Sequence, residues 1–301
     1  GCLSQVRQGH LYSSVKESAA EYGYSVEACC DILSISRAAY YKWLNGAPSP
    51  RIKENIRIAE IIESIHTASP DKGHRRIRDD LDRFHQTHVS DKRVLRICRA
   101  KGIKSTIKYA NHGCTRQAPN PQYIAENILN REFHADQPNN KWLTDVTEFK
   151  WYKGIEVHKV YLSAILDLHD RRIVSYVISD RNDNPLVFQT LDKAIAENPE
   201  AHPLFHSDRG FQYTNRIFHT KLEKAGMTQS MSRVVKCIDN GPMEGFWGIL
   251  KRERYYGRRF TDRQTLVQMI EDYILYYNTK RLQRNLGILT PMEKHHISMA
   301  A

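Results

Sequence analysis

The sequence predicts an α/β domain that carries the chemistry, preceded by an all-α region. Three observations lead there. From Asn140 onward, three β-rich runs follow one another and then alternate with helical runs, the pattern of a sheet with helices on both faces. The first hundred residues instead place apolar side chains at helical spacing between Pro and Ser breaks. The chain is also strongly basic, with a formal charge of +11 over 301 residues.

Composition bounds the reading further. A 41% hydrophobic content with 26% charged residues describes a folded chain, long enough for one core and one or two small domains. The positive charge argues for a polyanionic partner rather than for any fold. The six cysteines have no CxxC spacing, no run approaches a membrane span, and no signal segment opens the chain, so a cytoplasmic protein with free thiols and no membrane partner is expected.

Residues 1–47 read as a first helical unit. Val26, Cys29, Cys30 and Leu33 recur at helical spacing, Ser34-Ile35-Ser36 breaks the run, and a second helix covers Arg37 to Leu44. Two short helices across a tight turn fit a helix-turn-helix, with Arg37, Tyr40, Tyr41 and Lys42 as candidate DNA contacts. A small helical domain with its tyrosines in the core fits equally. Ala47-Pro48-Ser49-Pro50 is a linker, and Ile52 to His66 a packing helix.

Residues 48–102 hold a second unit, in which GHRRIRDDLDRF and DKRVLRICRAKGI flank a short connection. Asp71 to Arg116 contains thirteen Lys/Arg against five Asp/Glu, the steepest basic bias in the chain. Arg75, Arg76, Lys92, Arg93 and Arg96 are the phosphate-neutralising candidates. Residues 103–137 read as a basic connector with one short helix from Tyr123 to Leu129.

The α/β domain spans 138–260, with strands at 142–152, 158–167 and 171–179, a helix at 185–197, a strand at 203–207, a helix at 215–225, a short strand at 228–231 and a helix at 241–256. The last part, 261–301, opens with a helix from about Asp262 to Asn278. Its stripe of Leu266, Met269, Ile270, Ile274 and Tyr277 should pack on the core.

Two carboxylates stand out in this frame. Asp208 ends the apolar run Leu204-Phe205-His206, and Glu244 lies just inside a helix opened by Asp239-Asn240-Gly241-Pro242, with thirty-five residues between them. Asp239 and Asn240 are read as caps of that helix. Lys251, about two turns beyond Glu244, would share its face and hold a polyanion beside it. Asp145, in the middle of KWLTDVTEFKWY, supplies a third carboxylate. Two strands and a helix would thus present an all-oxygen site suited to Mg²⁺ or Mn²⁺. His206-Ser207-Asp208 cannot form a hydrolase triad, because adjacent strand residues point to opposite faces; His206 is read as a core or neighbouring histidine.

WLTDVTEF, HSDRGFQY and DNGPMEGFWGILKRE, in this order and spacing, resemble the catalytic motifs of the DDE transposases, and more narrowly of the insertion-sequence-3 family, relatives of retroviral integrases. YYNTKRLQRNLGILTPMEKH resembles that family's ending, and GHRRI its usual GYRRI. Gly241, Gly245 and Cys237 depart from the family pattern and leave the carboxylates intact.

The resemblance implies an RNase H-like core in which Asp145, Asp208 and Glu244 hold two Mg²⁺ ions, with Mn²⁺ able to substitute. It also implies strand cleavage and 3′-hydroxyl transfer on double-stranded DNA, at the terminal inverted repeats and at the target. Lys251, with Arg252, Arg233 and Lys236 behind it, would contact the transposon end, and Arg281 and Arg284 are weaker candidates. Family members act as multimers, and the implied partner is an upstream portion, joined by frameshifting, that carries a leucine zipper absent here as a heptad repeat. The implied place of action is the bacterial nucleoid. Two other readings stay open at this stage, a non-catalytic DNA-binding regulator and a nuclease acting on RNA–DNA hybrids.

Overall fold

The computed structural model describes residues 2–46, 50–107, 121–233 and 237–300. The chain divides into two units, Gly1–Ile61 and Ile62–Ala301. None of the described helices is long and apolar enough to cross a membrane.

In the first unit α1 (Cys2–Tyr22), α2 (Val26–Ile32) and α3 (Arg37–Leu44) enclose a small core of Tyr12, Val15, Cys30 and Tyr40. Ser25 caps α2 by accepting from the Ala28 amide at 3.1 Å. The two readings of the tyrosines divide between neighbours: Tyr40 is buried in the core, whereas Tyr41 is exposed. Tyr40 is therefore withdrawn from the candidate DNA contacts. The packing helix expected from Ile52 is α4 (Pro50–Ala68).

The second unit opens with α5 (His74–His85) and α6 (Asp91–Ala100), whose apolar faces meet through Ile77, Leu81, Val94 and Ile97. Ser90 starts α6 by accepting from the Arg93 amide. The five-stranded sheet consists of β1 (Lys141–Lys153), β2 (Glu156–Asp167), β3 (Ile173–Ser179), β4 (Leu204–Ser207) and β5 (Thr228–Met231), in the order β3-β2-β1-β4-β5. β1, β2 and β3 are antiparallel, while β4 and β5 run parallel to β1. The parallel pairs require crossovers, supplied by α7 (Asn184–Glu197) and α8 (Arg216–Lys224).

Strand alternation divides the core into two layers. Trp142, Ile165, Val174 and Phe205 face α7 and α8, packing with Val187, Leu191, Phe218 and Leu222. Leu143, Phe149, Leu162 and Leu166 face α9 (Gly241–Leu250) and α10 (Arg263–Thr279), packing with Met243, Phe246, Leu250, Leu266, Ile270 and Ile274. α11 (Pro291–Met299) begins with a capping box, Thr290 with Glu293, and is tied to the β2–β3 corner by His295 Nδ1 to Asp170 at 2.7 Å. This mixed sheet flanked by helices has the RNase H-like topology expected.

Two expectations are corrected. No helix forms at Tyr123–Leu129. This stretch runs extended beside β5, donating from the Ile128 and Leu129 amides to Ser230 Oγ and accepting the Met231 amide at Glu126. Its polar groups are met by the sheet edge, which removes the need for a helical ladder. The helix expected over 241–256 is α-helical only to Leu250, and Lys251–Tyr255 form a π-helical turn.

That turn buries Glu253, 7% exposed. Its carboxylate accepts from Arg76 Nη1 (2.9 Å), Arg281 Nη2 (2.9 Å) and the Tyr273 hydroxyl (2.9 Å). α5, α10 and the following segment thus meet on one buried carboxylate, directly after the helix that carries Glu244. Removing it would strand the Arg281 guanidinium and the Tyr273 hydroxyl and leave Arg76 with Asp71 as its one remaining carboxylate among the described residues. Glu253→Ala is expected to destabilise the protein by about 3–5 kcal/mol, measured by urea denaturation; a loss under about 1 kcal/mol would show that the cluster carries no such weight.

Candidate active site

The register of β1 against β4 sets the geometry. Leu143 pairs with His206, and Asp145 and Asp208 each lie two residues further along neighbouring parallel strands. Two strands about 4.8 Å apart therefore deliver two carboxylates side by side. Asp208 sits just past the end of β4, where the Gly210 amide donates to its Oδ1 at 2.8 Å. A Cβ on Gly210 would lie 2.9 Å from that oxygen, so only glycine lets the backbone approach the carboxylate this closely.

Glu244 stands in the first turn of α9. Asn240, just before it, donates from Nδ2 to the Thr144 carbonyl at 3.1 Å, tying the start of the helix to the strand beside Asp145. One turn later Trp247 Nε1 donates to Asp145 Oδ2 at 3.0 Å, while the Val146 amide holds Oδ1 at 2.8 Å. Both oxygens of Asp145 are thereby oriented. Trp247 is the functional side chain that sequence reasoning missed. Its position three residues after Glu244, on the same helix face, was the available signal.

Burial pushes the Asp145 carboxyl up to about 8, reinforced by the charge of Asp208 and, less, of Glu244; the bonds from Val146 and Trp247 oppose this only in part. Burial also raises Asp208 and Glu244. Tyr213 is fully buried beside them, its hydroxyl 3.4 Å from Thr144 Oγ1, and burial with the charges of Asp145 and Asp208 holds its proton firmly.

Among the described residues, no three acidic, His or Cys side chains close into a ready-made metal cage. Asp145 and Asp208 are neighbours, and Glu244 reaches Asp145 through its charge. The donor set nevertheless suits a hard divalent cation. It is all carboxylate, it crowds like charges in a buried place, and it is open enough for a Mg²⁺ ion to keep water or phosphate oxygens in its shell.

Lys251 lies over the Phe149 ring, 5.1 Å from its centroid, and burial lowers its pKa against the opposing pull of Asp145 and Glu148. Lys251 opens the π turn, yet it still faces the Asp145 side. Arg252 folds back on Gly248, where a Cβ would meet its Nη1 at 3.1 Å. Lys236 lies outside the described residues.

Other cations are held differently from expectation. Arg76 and Arg281 turn to Glu253 rather than outward. Arg233 grips buried Asp239 through Nε and Nη2, both at 2.9 Å, with Arg131 Nε at 2.7 Å from the same carboxylate. These bonds hold Asp239 far below the usual carboxylate range. Asp239 and Asn240 are thus cross-links; neither side chain caps α9. Arg37 pairs with Glu27 at 2.9 Å. Tyr41, Lys42, Arg75, Lys92 and Arg96 are exposed, and Arg93 is half-buried. His206 is a core residue between the Ser230 and Ser232 hydroxyls, and burial lowers its pKa to about 4.

An RNase H-like sheet with one carboxylate within its central strand β1, a second just past the end of the neighbouring β4 and a third on α9 fits a class of enzymes that cut and join nucleic-acid strands. Residues 135–237 and 244–296 match two family models, each described as an integrase core domain, and residues 53–111 match one described as an HTH-like domain. The chain is 34% identical over 271 residues to the putative transposase InsK of insertion sequence IS150 from Escherichia coli K12, covering 90% of this chain and 93% of that one. It is 32% identical over 278 residues to a 31 kDa protein of insertion element IS600 from Shigella sonnei, covering 90% and 100%. A distant likeness joins it to the simian T-cell lymphotropic virus intasome structure, at 18% identity and a TM-score of 0.47, over 79% of this chain and 74% of that one. The chain belongs to the insertion-sequence-3 family of transposases, within the DDE transposase and integrase superfamily, and is a polynucleotidyl transferase.

The raised pKa of Asp145 gives a stability test in metal-free protein. A carboxyl raised on folding holds its proton more tightly in the folded state, so stability falls as pH rises from its ordinary 3.8 towards about 8. Asp145→Asn removes that loss. Its Tm should exceed that of the unaltered protein at pH 8 by several degrees, and the gap should close below pH 4. Parallel Tm curves across that range would contradict the assignment.

Proposed function

We propose that this chain cleaves DNA at the ends of an insertion element and transfers the freed 3′-hydroxyl to target DNA, with Asp145, Asp208 and Glu244 holding two Mg²⁺ ions or, in their place, Mn²⁺. The observation that supports the reading is the placement of Asp145 within β1 and Asp208 just past the end of its parallel neighbour β4, each two residues beyond the paired Leu143 and His206, with Glu244 within electrostatic reach. Two bound divalent ions would supply an activated oxygen nucleophile and stabilise the leaving oxygen in an in-line displacement.

The chain's own residues prepare that site. Trp247 and the Val146 amide fix the direction in which Asp145 presents its oxygens. Gly210 fixes Asp208, leaving its second oxygen without a hydrogen bond among the described residues. The cross-link from Asn240 to Thr144 keeps Glu244 from drifting with its helix. Lys251 puts a cation beside the carboxylates, where phosphate oxygens would lie.

Double-stranded DNA is the partner, at both element end and target. On α6 the exposed Lys92 and Arg96 give phosphate contacts, Arg93 beside them, and Tyr41 and Lys42 offer a further set on α3. The active form is a multimer of this chain, with a frameshift-joined upstream portion contributing further DNA recognition, and it works on nucleoid DNA in the cytoplasm.

The test is strand cleavage and joining on a labelled duplex bearing the element end. Product should require Mg²⁺ or Mn²⁺, be absent with Ca²⁺ or EDTA, and fall to background for Asp208→Asn and Glu244→Gln while duplex binding persists. Full cleavage by Asp208→Asn would refute the site. Cleavage confined to RNA–DNA hybrid would replace this reading by a hybrid nuclease.

A further inference from the structure

On the side of α9 away from the carboxylates lies a cleft of about 480 Å³ into which five arginines converge. At 100° per residue, Glu244, Trp247 and Lys251 point one way, whereas Pro242, Gly245 and Ile249, which line the cleft, point the other. Arg75 and Arg76 come from α5, Arg171 from the β2–β3 turn, and Arg281 and Arg284 from the segment after α10. At Gly245 an added Cβ would meet nothing within 4 Å, so the cleft reaches the helix backbone itself.

Three of these arginines are already matched. Arg76 and Arg281 share Glu253, and Arg284 grips Asp79 at 2.9 Å and Asp91 at 2.8 Å. Asp79 is the one acidic residue on the wall. Two guanidinium groups remain. The exposed Arg75 side chain has no partner among the described residues. Arg171 donates only to the Phe133 carbonyl, at 2.8 Å, with no carboxylate paired to it among the described residues. Burial lowers the pKa of Arg171 against the opposing pull of Tyr277, Asp167 and Asp170, none of which bonds to its guanidinium directly.

We propose that this cleft binds a backbone phosphodiester of the DNA, distinct from the phosphodiester presented to the carboxylates. Guanidinium forks match phosphate oxygens in pairs, and two unmatched ones beside an open helix backbone form an anion site. The occupant is DNA because the cleft joins the two DNA-handling parts of the chain. One wall is α5, inside the HTH-like match, and the other is the helix that carries Glu244. A bound strand would bridge them. The inference rests on the transposase reading above.

The test measures duplex binding by the full chain in EDTA, where cutting is silent, across a salt series. The variants are Arg75→Glu, Arg75→Ala/Arg171→Met and, as a control away from the cleft, Arg263→Ala. The double variant should bind roughly tenfold or more weakly, with the slope of log affinity against log salt flatter by about 0.9, the share of one neutralised phosphate. Arg75→Glu, an exposed change that leaves folding alone, should weaken binding likewise, and the control should match the unaltered protein. Unchanged affinity and slope in both cleft variants would overturn the proposal. So would a thermal stabilisation by inorganic phosphate that the double variant loses while its DNA binding stays intact, since the cleft would then hold a free anion only. If the unaltered protein bound no duplex at all, the transposase reading itself would fall.

Discussion

Asp145 and Asp208 repel each other, and much of the second unit serves to hold them together. Their closeness is a property of the sheet. β1 and β4 are parallel neighbours in a register that carries both carboxylates to the same end, and backbone hydrogen bonds lock that register. Aromatic and aliphatic side chains cover both faces, so the strands cannot splay to relieve the charge. The result is a strained electrostatic arrangement, in which burial and like charge raise the Asp145 carboxyl, maintained by packing elsewhere. Such a site gains most from whatever brings positive charge to it.

The helix that carries Glu244, α9, is fixed at both ends by polar cross-links to other elements. At its start Asn240 bonds the strand bearing Asp145, and Asp239 gathers Arg131 and Arg233. At its far end the π turn rotates Glu253 inward to meet Arg76 and Arg281. An uninterrupted α-helix would have aimed that carboxylate elsewhere. The extra residue in the turn is thus the device by which α5, α9 and α10 share one buried charge. The same grouping of arginines forms the cleft behind α9, so the docking of α5 and an anion site have a common origin.

Much of this was legible in the chain itself. Strand alternation in KWLTDVTEFKWY, the apolar run ending at Asp208, and the Asn-Gly-Pro start of α9 are local signals; both strands lie near the expected bounds and α9 starts where expected but ends at Leu250. The capping box of Thr290 with Glu293, which starts α11, was not read from the sequence. The stretch Tyr123–Leu129, read as one short helix in a connector, lies extended instead, because nothing local reveals that the edge of β5 is waiting for it. Charge was harder still. A run such as GHRRIRDD announces basic side chains without saying which face inward, and Arg76 turned to Glu253, 177 residues away.

The sequence by itself determined the α/β core, the order of its strands and helices, and the spacing that proposes three carboxylates as the site, because periodicity, capping and spacing act over a few residues. Tertiary structure alone decided which arginines lack a carboxylate partner among the described residues, that Trp247 orients Asp145, that a π turn interrupts the helix after α9, and that Arg75 and Arg171 converge on one cleft. Those outcomes depend on side chains brought together from distant parts of the chain, and the free energy of a buried charge is set by neighbours that local sequence does not name.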